Sequence, residues 1–213
     1  MVFDWYVPYA GLIASLLALL NIFFPVGAPV QWLASPVLSS VTPEPGARPE
    51  HWLLPDAEVV YSPTALDFDV AEYLKEQGGY LSGYQQYLMI TGWTSAAEII
   101  ERVALENSIN PRLLLALLEY QSGCILGQPE DVEHFDTAMG AGEYYRKDLY
   151  GQLVWAARVL SEGFYGRLEG TLSEISYPDG TISQILAEVN AGTVAIHYFF
   201  AQLYDHEACT QAL

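Results

Sequence analysis

The longest hydrophobic pattern in the chain is an almost unbroken apolar run over residues 9–24. No charged residue occurs between Trp5 and Thr42, and the run falls between a signal-peptide core and the about 20 residues of a spanning helix in length. No Lys or Arg precedes it, and no clean small-residue cleavage site follows it. The pattern predicts an N-terminal apolar helix within residues 1–34. We expect it to be retained as a membrane anchor; cleavage as a signal peptide and burial as a core helix are the alternatives.

A proline-rich stretch separates this run from the rest of the chain. Residues 35–49 contain four prolines with Ser, Thr and Gly between them, a composition that favours extended backbone and forms no packed element. We therefore interpret residues 35–51 as a linker and residues 52–213 as one globular domain. Deleting the first 49 residues is expected to leave that domain folded.

Within residues 52–213, helical spacing of apolar residues dominates and predicts a mostly α domain with one small β-hairpin. Caps and apolar faces predict helices over 68–77, 96–107, 111–122, 147–161 and 193–204. The third of these begins at Asn110-Pro111 and is leucine-rich nearly all round, so we expect it to be the buried central helix. Alternation around Pro178-Asp179-Gly180 predicts the hairpin over residues 171–182.

The charge balance excludes several classes of partner. The chain has 26 acidic and 8 basic residues, a formal net charge of -18, so nucleic acid would be repelled. The basic residues are scattered, which disfavours an anionic membrane surface as a partner of the domain. The four histidines lack the spacing of a zinc site, and the acidic loop over residues 130–136 lacks calcium-ligand spacing. We therefore expect no metal and no cofactor.

Two short motifs resemble one family of enzymes. The stretch from Asn110 to Gly123 (NPRLLLALLEYQSG) resembles the opening motif of soluble lytic transglycosylases and goose-type lysozymes, and Asn190-Ala191-Gly192 resembles their Tyr-Asn-Ala-Gly element. The resemblance implies a lysozyme-like fold outside the membrane and a groove for peptidoglycan or a related glycan. The residues it places in that groove are Gln121, Ser122, Tyr145, Asn190 and Gly192. Residues 54–213 also resemble the N-terminal region of exported bacterial proteins that end in a LysM or zinc metallopeptidase module, so the chain is expected to be a fragment or a stand-alone relative.

The departures from that family bear on activity. Gln121 stands where the family has its catalytic Glu, and Val189 stands where it has Tyr. Because an amide cannot protonate a glycosidic oxygen, we expect a glycan-binding module without hydrolytic power.

The nearest carboxylate, Glu119, projects about 200° around the helix from Gln121. It is the candidate acid in the alternative of an active muramidase or transglycosylase; otherwise it pairs with an Arg or caps the chain. Gln121 and Asn190 also have plain alternatives, a hydrogen bond at a helix end and a helix cap. A further alternative is a protein-interaction domain of an envelope complex.

The two cysteines follow the ends of the central and last predicted helices. Disulfides persist outside the cytoplasm, so we predict a bond between Cys124 and Cys209.

Overall fold

The computed structural model describes residues 53–129, 133–142 and 147–212. The predicted apolar helix and linker, within residues 1–51, lie outside the described residues, as does Tyr145. Within the described ranges, every helix is too short or too polar to cross a bilayer.

The described residues form a helical domain with two small antiparallel hairpins. The elements are α1 (Asp56–Val59), α2 (Pro63–Leu66), α3 (Val70–Gln77), a 3-10 turn (Tyr80–Ser82), β1 (Gln85–Leu88), β2 (Gly92–Ser95), α4 (Ala96–Asn107), α5 (Pro111–Ser122), a 3-10 turn (Glu133–Thr137), α6 (Leu149–Leu168), β3 (Glu174–Ser176), β4 (Ile182–Gln184), α7 (Ala191–Ala201) and α8 (His206–Ala212). The prediction of a mostly α domain is confirmed.

Local capping chemistry determines the helix boundaries that were predicted best. Ser95 and Glu98 form a complete capping box at the start of α4. The side chain of Asn110 accepts a hydrogen bond from the Arg112 N–H, and α5 ends at Gly123 in the left-handed conformation. As expected, the leucine-rich part of α5 is buried, from Leu113 to Leu118.

The helices α6 and α7 pack antiparallel and form the centre of the core. Trp155 contacts Phe199 with ring centroids 5.5 Å apart, and a Cβ on Gly163 would lie 2.9 Å from the Ala195 Cα. The absent side chain at Gly163 therefore allows close approach of the two helices. This contact also explains why α6 continues to Leu168, beyond the predicted end at residue 161.

The strands differ from the prediction in number. The predicted hairpin around Pro178-Asp179-Gly180 is confirmed, with Ile175 opposite Ser183. A second hairpin, β1–β2, was not predicted; it pairs Tyr87 with Trp93. The predicted last helix over residues 193–204 corresponds to α7, which ends at Ala201, and α8 beyond it was not predicted.

The predicted disulfide is wrong, because both cysteines are free and buried. The carbonyl of Cys124 accepts a hydrogen bond from the N–H of Leu81, which lies in the first 3-10 turn. Cys209 lies on α8, and its side chain is hydrogen-bonded to Tyr177 of the β3–β4 hairpin. Burial raises the thiol pKa to about 12 for Cys124 and about 11 for Cys209, so both are inert thiols in this fold.

Candidate functional site

Glu119, the alternative catalytic acid, holds the chain that follows α5. Its Oε2 accepts hydrogen bonds from the backbone N–H groups of Ile125 at 2.8 Å and Leu126 at 3.1 Å. It also lies close enough to Tyr73 to contribute, after burial, to raising that phenol's pKa to about 12. In this arrangement the carboxylate acts as a cap for a loop.

Gln121 and Ser122 also bond within the protein. The Oε1 of Gln121 accepts a hydrogen bond from the Tyr204 hydroxyl at 2.9 Å, while its buried Nε2 has no partner among the described residues. Ser122 donates its hydroxyl to the Leu118 carbonyl at 2.8 Å. Both contacts lie at the end of α5, next to the segment that follows α7.

Asn190 and Gly192 form hydrogen bonds that connect the start of the domain to α7. The Asn190 Nδ2 donates to the Leu54 carbonyl and to the Asp56 Oδ1, each at 2.7 Å. The same Asp56 Oδ1 accepts from the Gly192 N–H at 2.7 Å, so Asp56 caps α7 in place of Asn190, whose side chain makes no cap bond. A Cβ on Gly192 would lie 2.4 Å from the Leu54 carbonyl oxygen. Glycine at this position therefore allows a backbone crossing.

The predicted groove residues lie at opposite ends of one helix. Gln121 bonds to Tyr204, beyond the C-terminal end of α7, whereas Asn190 is at its N-terminal end. With 11 residues in α7 and 1.5 Å of rise per residue, the two are separated by about 16 Å along the axis. The structure does not bring Gln121 and Asn190 to face each other across one groove.

A cavity of about 370 Å³ lies elsewhere, between the β3–β4 hairpin, α7 and α8. We call it the hairpin cavity. Its size is within the range of small-molecule sites, and its walls are mainly apolar, as such sites usually are. It is lined by Leu53, Ile175, Tyr177, Ser183, Gln184, Ile185, Leu186, Val189, Thr193, Val194, His197, His206, Cys209 and Thr210.

The turn of the β3–β4 hairpin is hydrogen-bonded to α8 beside this cavity. The Asp179 carboxylate accepts from the Thr181 N–H at 2.8 Å and, on α8, from the His206 N–H at 3.1 Å. These bonds lower the pKa of Asp179. The His206 ring meets the Tyr177 ring edge to face, with centroids 5.0 Å apart. The hairpin and α8 are thereby fixed relative to each other on either side of the opening.

The polar groups of the hairpin cavity are hydroxyls, one thiol, one side-chain amide and two imidazoles, and among the residues that the structure describes no Asp, Glu, Lys or Arg lines it. Burial lowers the pKa of His197, so this imidazole is neutral at neutral pH. Hydrogen bonds link Tyr177 with Ser183 and Cys209. A site of this chemistry suits an uncharged ligand that has both apolar and hydrogen-bonding faces.

Comparison with known families matches residues 52–213 to the family described as LasA, N-terminal domain. The chain belongs to this family. The LasA N-terminal domain occurs in exported LasA-like proteins with an M23 peptidase, in agreement with the resemblance to exported cell-wall proteins. No curated protein matches the chain. No solved structure matches it either.

The LasA N-terminal domain thus has a candidate site that differs from the one expected. Among its described residues there is no cluster of His, Cys, Asp and Glu that could hold a metal ion. The residues that sequence reasoning missed are those of the hairpin cavity, above all Tyr177, Ser183 and His197. One signal was present: Asp205 caps the start of α8 through the Ala208 N–H at 2.8 Å, which marks a helix beyond Tyr204.

Proposed function

We propose that this domain is a non-catalytic module of an exported cell-wall protein and binds an uncharged part of a peptidoglycan-type glycan in the hairpin cavity. The observation that carries the proposal is the cavity itself, about 370 Å³ in volume and lined, as far as the described residues go, without Asp, Glu, Lys or Arg. In this proposal residues 9–24 tether the domain to the membrane, and α5 is a lysozyme-like helix that has lost its acid.

The absence of catalysis is supported by the surroundings of Gln121 and Glu119. Gln121 is an amide where a glycosidase needs a proton donor. The Glu119 Oε2 is occupied by two backbone N–H groups, and the lining of the hairpin cavity, within the described part of the chain, contains no Asp or Glu. Retaining and inverting glycosidases both use a pair of carboxyl groups across the scissile bond, and the cavity wall offers no such pair.

The ligand class follows from the cavity's composition and from the field of the whole chain. A net charge of -18 disfavours anions. No carboxylate is among the described lining residues, and the Asp179 carboxylate beside the opening is occupied by the Thr181 and His206 N–H groups. Sugar rings have apolar C–H faces and many hydroxyl groups, which match a wall of aliphatic side chains with Tyr177, Ser183 and Gln184 between them. An N-acetylated hexosamine oligomer is therefore the expected ligand.

Binding is tested by calorimetric titration of the full-length chain with chitotetraose. Thr210 is exposed and lines the cavity, so Thr210→Trp is expected to fill the opening without unfolding the domain and to weaken binding at least tenfold. The neighbouring Gln211 is exposed and outside the lining, which makes Gln211→Trp the matched control with unchanged affinity. Equal affinity for wild type and both variants would place the ligand elsewhere.

Catalysis is tested separately on purified sacculi. We expect no muropeptide release by the wild type, and the same result for Glu119→Gln. Robust release by the wild type that this substitution abolishes would identify Glu119 as a working acid and refute the non-catalytic assignment. Glycan binding in the hairpin cavity could still be measured in that case, so the two parts of the proposal are tested independently.

A further inference from the structure

The β1–β2 hairpin exposes apolar side chains where a two-stranded sheet normally exposes polar ones. On its outer face, Tyr87 is 61% and Trp93 71% exposed. At the tip, Met89 is 96% and Ile90 85% exposed. On its inner face the hairpin carries Gln86 and Leu88, both partly buried, and Thr94, buried, and Leu88 packs against the core. The four exposed apolar side chains of the outer face and tip take no part in this domain's buried core.

The hairpin is rigid and well anchored. Tyr87 and Trp93 are direct cross-strand partners, with ring centroids 5.8 Å apart in an edge-to-face arrangement. The hydroxyls of Thr91 and Thr94 are hydrogen-bonded at 2.8 Å across the turn. At the base, Gln86 accepts from the Tyr150 N–H at 3.1 Å, which fixes β1 to the start of α6. A surface held in one conformation loses little entropy when it binds.

Charge is absent from the hairpin, although the chain as a whole is strongly acidic. Residues 77–97 contain no Asp, Glu, Lys or Arg, in a chain that has 34 such residues and a net charge of -18. Protein interfaces have this anatomy, with a charge-depleted centre enriched in Tyr, Trp and Met and a charged rim. The net negative charge of the chain favours a partner with a basic rim.

The exposed area also suits a protein interface. Four large side chains at these exposures present about 600 Å² together, most of the roughly 800 Å² that a standard interface takes from each partner. A second copy of this chain would bring two strongly acidic surfaces together, and an anionic bilayer would repel the domain in the same way.

We propose that residues 87–93 form a protein-docking element that inserts into an apolar cleft with a basic rim on the M23 peptidase domain of a LasA-type protein. The N-terminal LasA domain and the M23 peptidase occur together in such proteins. The peptidase domain is therefore the protein surface that is available for this hairpin to bind. The docking element lies at the start of α6, whereas the hairpin cavity lies near its end, where Arg167 donates to the Val189 carbonyl. With 20 residues in α6, the two sites are about 30 Å apart. Docking and glycan binding are therefore separate activities.

The test uses calorimetric titration of the full-length chain with a purified M23 peptidase domain from a LasA-type protein. The double substitution Met89→Ser/Ile90→Ser is expected to weaken binding at least tenfold and to leave the unfolding midpoint unchanged, because both side chains are almost fully exposed. A matched control, Leu168→Ser/Ile182→Ser, removes two exposed apolar side chains at the far end of α6 and is expected to bind like the wild type. Raising the ionic strength is expected to weaken wild-type binding severalfold.

Three results would overturn the proposal. They are no binding of the wild type, equal loss in the tip and control variants, and affinity that does not change with salt. Quenching by brominated phosphatidylcholine vesicles that is present in the wild type and lost in Trp93→Phe would place the hairpin in a bilayer and assign it a lipid partner instead.

Discussion

The junction between Asp56 and the start of α7 allows the sharpest test of whether Asn190-Ala191-Gly192 is structural. One oxygen, the Asp56 Oδ1, accepts from the Asn190 Nδ2 and from the Gly192 N–H, both at 2.7 Å. Asp56→Ala removes this acceptor. Asn190 keeps its bond to the Leu54 carbonyl, but the Gly192 N–H loses its partner at the N-terminal end of the helix.

The expected cost follows from these contacts. A hydrogen bond to a charged acceptor contributes about 1.5–3 kcal/mol, and a carboxylate at a helix N-terminus adds about 0.3–1 kcal/mol. We therefore expect the free energy of unfolding to fall by about 3 kcal/mol. For a domain of 150–250 residues, each kcal/mol lowers the melting temperature by about 2–4 °C, so a decrease of about 6–12 °C is expected.

The assay is urea denaturation of the full-length chain, followed by far-ultraviolet circular dichroism. The midpoint should fall without a change in the slope, because the same surface is exposed on unfolding. Asp67→Ala is the matched control: it removes the same charge from an exposed position nearby and should change stability by less than about 0.5 kcal/mol.

A cost below about 1 kcal/mol for Asp56→Ala would refute the reasoning. Stability that is unchanged together with lost glycan binding would instead assign the Asn190-Ala191-Gly192 element to ligand contact.

Further predictions concern one glycine, one histidine and the two cysteines. Gly192→Ala should destabilise the domain by about 2–3 kcal/mol because its Cβ would overlap a backbone carbonyl, whereas Gly83→Ala, which meets no atom within 4 Å, should be nearly neutral in the same assay. Burial lowers the pKa of His197. The stability that neutral His197 contributes is therefore fully present above its unfolded pKa of about 6.5 and is lost as the pH falls through the lower folded value. His197→Gln should reduce the fall in melting temperature between about pH 6.5 and pH 5. Without reductant, Cys124 and Cys209 should react with Ellman's reagent only after unfolding, and a mass lower by two hydrogens would show the disulfide that this fold lacks.

Local signals in the sequence predicted the helices because their causes are local. The capping box of Ser95 and Glu98 and the Asn110-Pro111 start each depend on residues within one turn, so they can be recognised without knowing the fold. Hairpin β1–β2 could not be predicted in this way. Its aromatic residues Tyr87 and Trp93 face outward, so the largest apolar side chains of these strands do not mark their buried side.

The candidate site was harder to predict because it depends on distance through space. The similarity of Gln121 and Asn190 to an enzyme motif carries no information on their separation, and each lies at a different end of α7. The hairpin cavity needs α8, a short helix after a break at Asp205. The apolar periodicity over residues 193–204 does not show that one helix ends and another begins after it. Asp205 does indicate this, because its side chain caps the start of α8.

The bond between Asn190 and Leu54 joins residues 136 positions apart in the chain, and this separation affects how the domain can fold. Contacts between distant residues form slowly, because a long loop must close before they contribute any stability. The first described residues of this chain gain their partners, Asn190, Gly192 and Thr193, only after α7 has been synthesised. During export, Leu53, Leu54 and Asp56 would therefore lack these partners until almost the whole domain has crossed the membrane, which helps to keep the chain in a state that a translocation channel can pass.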